Sequence, residues 1–345
     1  MQRWRRDGAL AVVGDRLATD LVDVTDDLAA LDGAGFWAVV VPFDGRPVCA
    51  RFATVRPAVP WPGDAWRGPA PDAWTTSLDR AAFETGVDDI RAAIGRGDVY
   101  QVNLTRRLSA PHTPGPGTSG DIAALGAALA LGNPAPYAAV VRVPAADLHV
   151  ASASPEQFLR REGRRVWSSP IKGTAATADR LTPKDRAENV MIVDLVRNDL
   201  GRVCSFGSVR VPSLCRVEAH PGLVHLVSTV EGELREGLGW PELLDATFPP
   251  GSVTGAPKLA AVEHLRRLET EPRGVYCGGV GWVDADAGVG ELNVAIRTFW
   301  IEDGRLHFGT GGGITWDSDP RAEWEETELK ARRLLAVASG ALVGS

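Results

Sequence analysis

Two pairs of acidic residues have a spacing that suits metal chemistry. Asp185 and Glu188 lie three residues apart, and Glu323 and Glu326 repeat this spacing near the other end of the chain. On a helix, residues three apart share one face. Carboxylates on a face that turns toward the core are costly unless a cation compensates them, and oxygen ligands of this kind suit Mg²⁺. The alternative is that both pairs lie on solvated first turns, where acidic side chains favour the helix dipole.

A loop rich in small residues is a candidate anion site. Residues 248–258 read Phe-Pro-Pro-Gly-Ser-Val-Thr-Gly-Ala-Pro-Lys, and Pro257 suits the first turn of a helix. Free backbone N–H groups at such a helix start, together with the hydroxyls of Ser252 and Thr254, form an anion-binding surface. A plain helix cap is the alternative.

Three further features carry chemistry. The run Gly-Gly-Gly at 311–313 does not match the dinucleotide fingerprint, and it indicates a backbone that a ligand or another strand approaches closely. Arg297 interrupts the apolar run 294–299, where a buried guanidinium requires a carboxylate partner. Lys172 lies on a constrained turn, and from local sequence alone it is interpreted as a solvated surface residue.

The elements that must position these residues are mixed. Hairpin-length turns such as the one at 302–305 favour antiparallel pairing, so the sequence predicts an α+β fold. One helix is predicted from Pro183 to Gly201, and a second from Pro320 toward Gly340. Short β-like runs are predicted at 36–41, 138–143, 148–153, 208–211, 225–230, 278–283, 292–301 and 306–310.

The chain is expected to have two parts. Residues 56–80 are rich in Pro and Trp without clear periodicity, which indicates an irregular connection. We therefore place a boundary between an abbreviated N-terminal region, 1–80, and a main catalytic region, 81–345. Pro and Gly predict a further loop at 111–120.

Composition excludes several classes of protein. The 345 residues carry a net charge of −7 without a basic cluster, which argues against a nucleic-acid partner. The four cysteines show no CxxC pair, so we expect neither disulfides nor zinc. No apolar stretch approaches the roughly 20 residues that a membrane-spanning helix needs. We expect a cytoplasmic protein without a membrane partner.

An ordered series of motifs resembles the chorismate-utilising enzymes, a family that includes anthranilate, aminodeoxychorismate, isochorismate and salicylate synthases. The resemblance extends over roughly residues 81–340. It implies a four-layer α/β/β/α sandwich with two orthogonally packed, mainly antiparallel sheets and an active site between them. The motifs lie at residues 100–104, 154–158, 170–174, 184–189, 193–199, 251–258, 295–298 and 311–314.

The resemblance also assigns roles to the candidate residues. Glu188 and Glu326 would be direct Mg²⁺ ligands, while Asp185 and Glu323 would hold the waters of the ion. Glu156 would act as general acid near the departing hydroxyl of chorismate, with His225 beside the ring. The residues that would bind the substrate are Arg297, Lys330, Thr254, the amides of Gly312 and Gly313, Ser252 and Asn103.

Two positions indicate which branch of the family this sequence resembles. Isochorismate and salicylate synthases have a water-activating Lys where this chain has Gln101, and anthranilate synthases have Ala at the position of Lys172. Lys172 with Asn103 is similar to the aminodeoxychorismate synthase component I pattern, which implies amination of chorismate at C4 for para-aminobenzoate and folate synthesis. In that chemistry a neutral lysine adds at C2 and ammonia then displaces it at C4.

A partner is expected for the supply of nitrogen. None of the cysteines lies in the Gly-x-Cys-x-Gly turn of a glutaminase, so glutamine would be used through a separate glutamine amidotransferase subunit. Three alternatives stay open: an anthranilate synthase component I, a catalytically inactive chorismate-binding regulatory subunit, and an enzyme that uses glutamine by itself.

The sequence departs from the family pattern in three places. The segment 175–183 is shorter than usual, and the N-terminal region lacks a Leu-Leu-Glu-Ser signature, which makes feedback inhibition by tryptophan doubtful. Glu291 stands where the family usually has Asp. None of these three departures affects a proposed catalytic residue.

Overall fold

A computed structural model describes residues 8–112, 120–175, 177–220 and 223–340. The predicted loop at 111–120 lies mostly outside these residues. The first nine strands are β1 (Leu10–Val13), β2 (Arg16–Thr25), β3 (Phe36–Val41), β4 (Val48–Pro57), β5 (Thr75–Thr76), β6 (Gln101–Pro111), β7 (Tyr137–Val143), β8 (Leu148–Ser154) and β9 (Gln157–Glu162). The other nine are β10 (Arg165–Ser169), β11 (Ile171–Ala175), β12 (Arg210–His220), β13 (Leu223–Glu233), β14 (Gly255–Ala256), β15 (Gly279–Asp284), β16 (Val289–Val294), β17 (Thr298–Glu302) and β18 (Arg305–Ile314).

Six α-helices lie within the described ranges of the chain. They are α1 (Arg80–Arg96), α2 (Ile122–Gly132), α3 (Pro183–Gly201), α4 (Trp240–Thr247), α5 (Lys258–Leu268) and α6 (Pro320–Ala338). None of the described helices is long and apolar enough to cross a membrane.

The strands form one hydrogen-bonded network, which consists of two series of neighbouring strands, called here the first and the second stretch. In the first stretch the neighbours run β6, β18, β17, β8, β7 and β1. In the second they run β2, β4, β3, β15, β16, β9, β10, β13 and β12, with β11 also on β13. All these pairs are antiparallel, and the β1–β2 hairpin joins the stretches. The predicted α+β class with mainly antiparallel strands is confirmed.

The N-terminal strands are part of both stretches. β1 pairs with β7, and β3 pairs with β15, so residues 10–57 lie in the same network as the later strands. The division at residue 80 stays a prediction. The irregular connection predicted at 56–80 has little regular structure: the end of β4, one short 3₁₀ turn at Pro71–Ala73, the two-residue strand β5 and the first residue of α1.

Helices pack on both stretches through apolar side chains. α2 and α6 cover the first stretch, where Leu125 and Phe299 are fully buried, and α1 packs Phe83 against β6. α3 covers β11 to β13, with Ile192 fully buried, and α4 contributes Leu243. Removal of this apolar surface from water is the main stabilising term for the arrangement.

The two predicted helix starts are confirmed, and local caps explain them. The Thr182 hydroxyl accepts a hydrogen bond from the backbone N–H of Asp185 at 3.2 Å, while the Asp185 carboxylate accepts one from the Thr182 backbone N–H at 2.7 Å. This reciprocal pair is a capping box. At α6 the Asp319 carboxylate accepts from the backbone N–H of Ala322 at 2.8 Å.

Two details of the prediction are wrong. The run 292–301 is not one strand, because β16 ends at Val294 and β17 begins at Thr298. Between them Arg297 has a left-handed backbone, with φ +52°, so it lies outside the ladder rather than inside a strand. Pro257 is the N-cap of α5 rather than its first helical residue.

A buried ion pair connects three elements of the fold. Arg273 is 3% exposed and donates to the Glu269 carboxylate just beyond α5, at 2.7 and 2.9 Å. Its other N–H groups donate to the Val253 carbonyl at 2.7 Å and the Asn103 carbonyl at 2.6 Å. Burial alone would lower the pKa of Arg273, but Glu269 outweighs it and the pKa is raised. Arg273 therefore fixes β6 and the 251–253 turn relative to α5.

Replacing Arg273 with Met should lower the free energy of unfolding by about 3–5 kcal/mol, because Glu269 would be left as an unpaired buried charge. The exposed pair of Arg267 with Glu263 on α5 provides a control, and Arg267→Met should cost less than about 1 kcal/mol. Urea denaturation of the two variants measures the difference. Equal losses would contradict the role assigned to Arg273.

Candidate active site

Lys172 lies at the centre of the candidate site. It lies on β11, and its ammonium group donates to the Ser252 carbonyl at 3.2 Å. Burial lowers the pKa of Lys172, Glu188, Glu156 and Glu326 raise it, and the net shift is downward. The interpretation of Lys172 as a solvated surface residue is therefore wrong, because the fold places its amine among carboxylates.

Glu156 lies beside Lys172 in the short connection between β8 and β9. It is 4% exposed, its Oε1 accepts from the Ile171 backbone N–H at 3.4 Å, and its carboxylate is hydrogen-bonded to the side chain of Ser252. Burial raises the pKa of Glu156, and the hydrogen bonds and the charge of Lys172 only partly offset this. Ser252 thus contacts both groups, through its side chain and its carbonyl.

The glycine run lies on β18, directly against β6. Gly313 pairs with Asn103, and a Cβ at Gly313 would lie 2.2 Å from the Gln101 amide nitrogen and 3.5 Å from the Lys172 ammonium nitrogen. A Cβ at Gly312 would lie 3.0 Å from a carboxylate oxygen of Glu323. The close approach predicted for this run is confirmed, and its causes are side chains of the site.

The acidic pair of α3 has two different environments. The Asp185 carboxylate accepts from the Thr182 backbone N–H and hydroxyl, both at 2.7 Å, and thereby caps its own helix. Glu188 is half-buried, and Lys184 forms an ion pair with it at 3.8 Å. Burial raises the pKa of Glu188, Lys172 and Lys184 lower it, and the net shift is upward. The helix-cap alternative therefore describes Asp185 but not Glu188.

The two acidic residues of α6 also have different environments. Glu323 is 7% exposed and accepts from the Ser318 hydroxyl at 2.6 Å; burial raises its pKa. Glu326 is half-exposed and pairs with Lys330 at 2.7 Å. Burial raises the pKa of Glu326, but Lys330, Lys172 and Lys184 together outweigh it, and the net shift is downward. Lys330 also donates to the Gly311 carbonyl at 3.0 Å.

A divalent cation at this site would have few protein ligands. Among the residues described, no three His, Cys, Asp or Glu side chains are grouped closely enough to hold a metal ion. Glu188 and Glu326, however, are close enough for the charge of Glu326 to raise the pKa of Glu188. A cation would relieve this repulsion, and Mg²⁺ is usually held by one or two carboxylates plus water and substrate.

Arg297, Thr254 and His225 are the next candidate residues, and all three are partly or fully buried. Arg297 is partly buried; burial lowers its pKa, and Glu156 is the carboxylate that opposes this shift. Thr254 is fully buried and its hydroxyl donates to the Pro250 carbonyl at 3.1 Å, so it holds the 250–254 turn. His225 is 2% exposed, and its backbone pairs with that of Thr174 on β11.

The sequence analysis did not predict that the side chain of Gln101 is buried. This residue is 1% exposed, and its side-chain oxygen has no hydrogen-bond partner among the residues described. Sequence analysis considered it only as a residue that is not a base. Gln101 is the first residue of β6, which also contains other polar residues, so the sequence offers no clear signal that its side chain is buried.

Comparisons with known proteins point to one family. The chain matches the family model described as chorismate binding enzyme over residues 56–336. It is 40% identical over 305 residues to anthranilate synthase component 1 of Streptomyces coelicolor, covering 85% of this chain and 56% of that protein. It is 39% identical over 275 residues to aminodeoxychorismate synthase component 1 of Salmonella typhimurium, covering 76% and 59%. The chain thus spans somewhat more than half the length of these relatives.

Solved structures share the fold. Anthranilate synthase component I from Streptococcus pneumoniae superposes with a TM-score of 0.75 at 25% identity, covering 96% of this chain and 91% of that one. A structure described as a putative 2,3-dihydroxybenzoate-specific isochorismate synthase from Bacillus anthracis gives a TM-score of 0.78 at 24% identity, with 97% of both chains covered. From the matched family model, the extent of identity and the shared fold, this chain belongs to the family of chorismate-binding enzymes.

Proposed function

We propose that this chain is the chorismate-aminating component of an aminodeoxychorismate synthase, which converts chorismate and ammonia to 4-amino-4-deoxychorismate. The observation that carries the proposal is the position of the Lys172 amine between Ser252 and the carboxylates of Glu156 and Glu188. Overall identity does not separate this function from anthranilate synthesis, since both kinds of relative are about equally similar. The nucleophile at position 172 does separate them.

The chemistry requires an unprotonated lysine and a protonated acid. The Lys172 amine forms a bond to C2 while the two conjugated ring double bonds shift and the C4–O bond breaks, with Glu156 giving its proton to the departing hydroxyl, which leaves as water. Ammonia then bonds to C4, both double bonds shift back, and the C2–N bond breaks, so that Lys172 leaves as a neutral amine and the new C4 nitrogen carries the three hydrogens of ammonia as an ammonium group. The lowered pKa of Lys172 and the raised pKa of Glu156 both increase the fraction of molecules in the required protonation state.

The remaining roles follow from charge and position. The substrate carboxylates would be bound by cationic side chains, hydroxyls and amides on β6, β18, α6 and the 251–254 turn, with His225 beside the ring. These groups are Arg297, Lys330, Ser252, Thr254, Asn103 and the N–H groups of Gly312 and Gly313.

We assign the metal to the facing acids of α3 and α6. Glu188 and Glu326 would bind Mg²⁺ directly, and Asp185 and Glu323 would hold its waters. When bound, the ion supplies positive charge opposite a substrate carboxylate. The raised pKa values of Glu188 and Glu323 support this assignment, because uncompensated carboxylates at a desolvated site are what a cation stabilises.

The reaction product tests the proposal directly. With chorismate, Mg²⁺ and ammonium, the purified chain should form 4-amino-4-deoxychorismate, which retains the enolpyruvyl group, as mass spectrometry would show. Glutamine should replace ammonium only after addition of a separate glutamine amidotransferase subunit. Anthranilate as the main product would instead establish the alternative favoured by the anthranilate synthase relatives, and glutamine-dependent turnover by the chain alone would contradict the need for a partner.

Lys172→Ala should lower kcat for the 4-amino product by about a thousandfold or more, because the covalent route is removed. Chorismate should still bind, since Arg297 and Lys330 are unchanged. Lys172→Arg is the matched control for charge: it keeps a cation but no nucleophile, and it should be equally impaired. A Lys172→Ala variant that forms the 4-amino product at near wild-type rate would show that the nucleophile is assigned wrongly.

Glu188→Gln and Glu326→Gln should each raise the Mg²⁺ concentration for half-maximal activity by at least about 10-fold, because each removes one ligand charge. Glu325→Gln is the control, since Glu325 lies on the outer face of α6 in an exposed pair with Arg321. Titration of activity with Mg²⁺ measures all three. Full activity of either site variant without added metal would contradict the assignment.

A further inference from the structure

A small cavity adjoins Glu156. Its volume is about 20 Å³, and its wall includes Glu156, Ser252, Ser168, Val196 and Asp199. A cavity of this size holds an ordered water when two to four polar groups line it. Of the residues assigned to the substrate, only Ser252 contributes to the wall, so the cavity extends from the general acid into the protein, toward α3.

An ion pair that the proposed reaction does not use lies at the α3 end of this cavity. Lys258, the first residue of α5, donates to Asp199 Oδ2 at 2.7 Å and to the Thr247 carbonyl at 2.9 Å. The Asp199 side chain is 8% exposed and that of Lys258 is 14% exposed. Such a pair is weak evidence for a stabilising role, because the cost of desolvating both charges is comparable to their attraction.

The geometry leaves one face of Asp199 for water. Its Oδ2 accepts from Lys258, whereas its Oδ1 has no hydrogen-bond partner among the residues described. Asp199 also lines the cavity, as does the buried residue Ser168. Since Glu156 is a residue of the same wall, a water there has enough polar residues around it to be held in place.

In the proposed function, Glu156 loses a proton in every turnover and must regain it before the next. Glu156 is 4% exposed, so bulk water has little access to it. We propose that the Lys258–Asp199 pair returns this proton to Glu156 through water held in the cavity. This inference rests on the proposed role of Glu156 as general acid.

The transfer balances with one proton and no other change. The Lys258 ammonium gives a proton to Asp199 Oδ2. The neutral Asp199 carboxyl group then turns so that this O–H faces the cavity, and it passes the same proton to the cavity water, which releases one of its protons to the Glu156 carboxylate. Neutral Lys258, whose side chain is 14% exposed, then takes a proton from solvent. Burial lowers the pKa of Lys258 and raises that of Asp199, so both shifts make the first transfer easier; Asp199 and Arg202 are the charged groups that act on Lys258.

Lys258→Arg separates proton transfer from ion pairing. Arginine keeps the charge opposite Asp199 but does not give up its proton in a protein. We expect kcat to fall at least about 10-fold, the chorismate KM to stay within about twofold, and imidazolium, a small acid, to restore part of kcat. Wild-type kcat in Lys258→Arg would overturn the proposal, because a purely structural pair tolerates arginine.

A second variant tests the water without touching the pair. Val196→Ile adds one methylene at the cavity wall, and Val193→Ile, one turn earlier on α3, is buried but does not line the cavity. Val196→Ile should lower kcat at least about 10-fold relative to Val193→Ile, with an equal melting temperature. Equal kcat in the two variants would overturn the proposal even if Lys258→Arg failed to fold.

The wild-type assay distinguishes the two possible failures. Absence of chorismate turnover by the wild type contradicts the proposed function itself. Turnover by the wild type, whichever amino product it forms, with both cavity variants unimpaired contradicts only the proton path.

Discussion

The positive charge of Lys172 is the main physical constraint on the site. An ammonium group taken out of water is costly unless opposite charges surround it. The carboxylates that surround Lys172 come from the β8–β9 connection, from α3 and from α6, which are Glu156, Glu188 and Glu326. Since α6 packs on the first stretch of strands and β11 belongs to the second, this charge balance exists only when the two stretches are correctly assembled.

The three consecutive glycines of β18 are the second constraint on the site. A Cβ at Gly313 would lie 2.2 Å from the Gln101 amide nitrogen and would displace it, while the Lys172 amine, at 3.5 Å, would be in ordinary contact. A Cβ at Gly312 would crowd a Glu323 carboxylate oxygen at 3.0 Å. The glycines therefore let β18 serve as one wall of the site, with the Gly311 carbonyl holding Lys330.

The sequence predicts those parts of the structure that depend on local signals. The starts of α3 and α6 are predicted because Thr182 and Asp319 cap them within three residues. The left-handed backbone of Arg297 is not predicted, because its apolar neighbours indicate a continuous strand. The buried pair of Arg273 is not predicted either, since nothing adjacent in sequence marks this cation as buried. Arg273 binds the carbonyl of Asn103, 170 residues earlier. Lys172 is similar: its local sequence indicates a surface turn, and only the set of family motifs indicates a site.

Similarity over the aligned residues leaves the reaction open for a physical reason. The groups proposed to bind the carboxylates, the metal and the leaving hydroxyl serve any reaction that begins with loss of the C4 hydroxyl from chorismate. The identities of 40% and 39% to the two kinds of relative, over 305 and 275 residues, therefore report the shared scaffold. In the proposed reaction, the difference is the nucleophile that arrives at C2. A lysine at position 172 would occupy C2 first, which would leave C4 as the carbon that ammonia attacks, so under this proposal a single side chain carries more information about the product than the remaining identity.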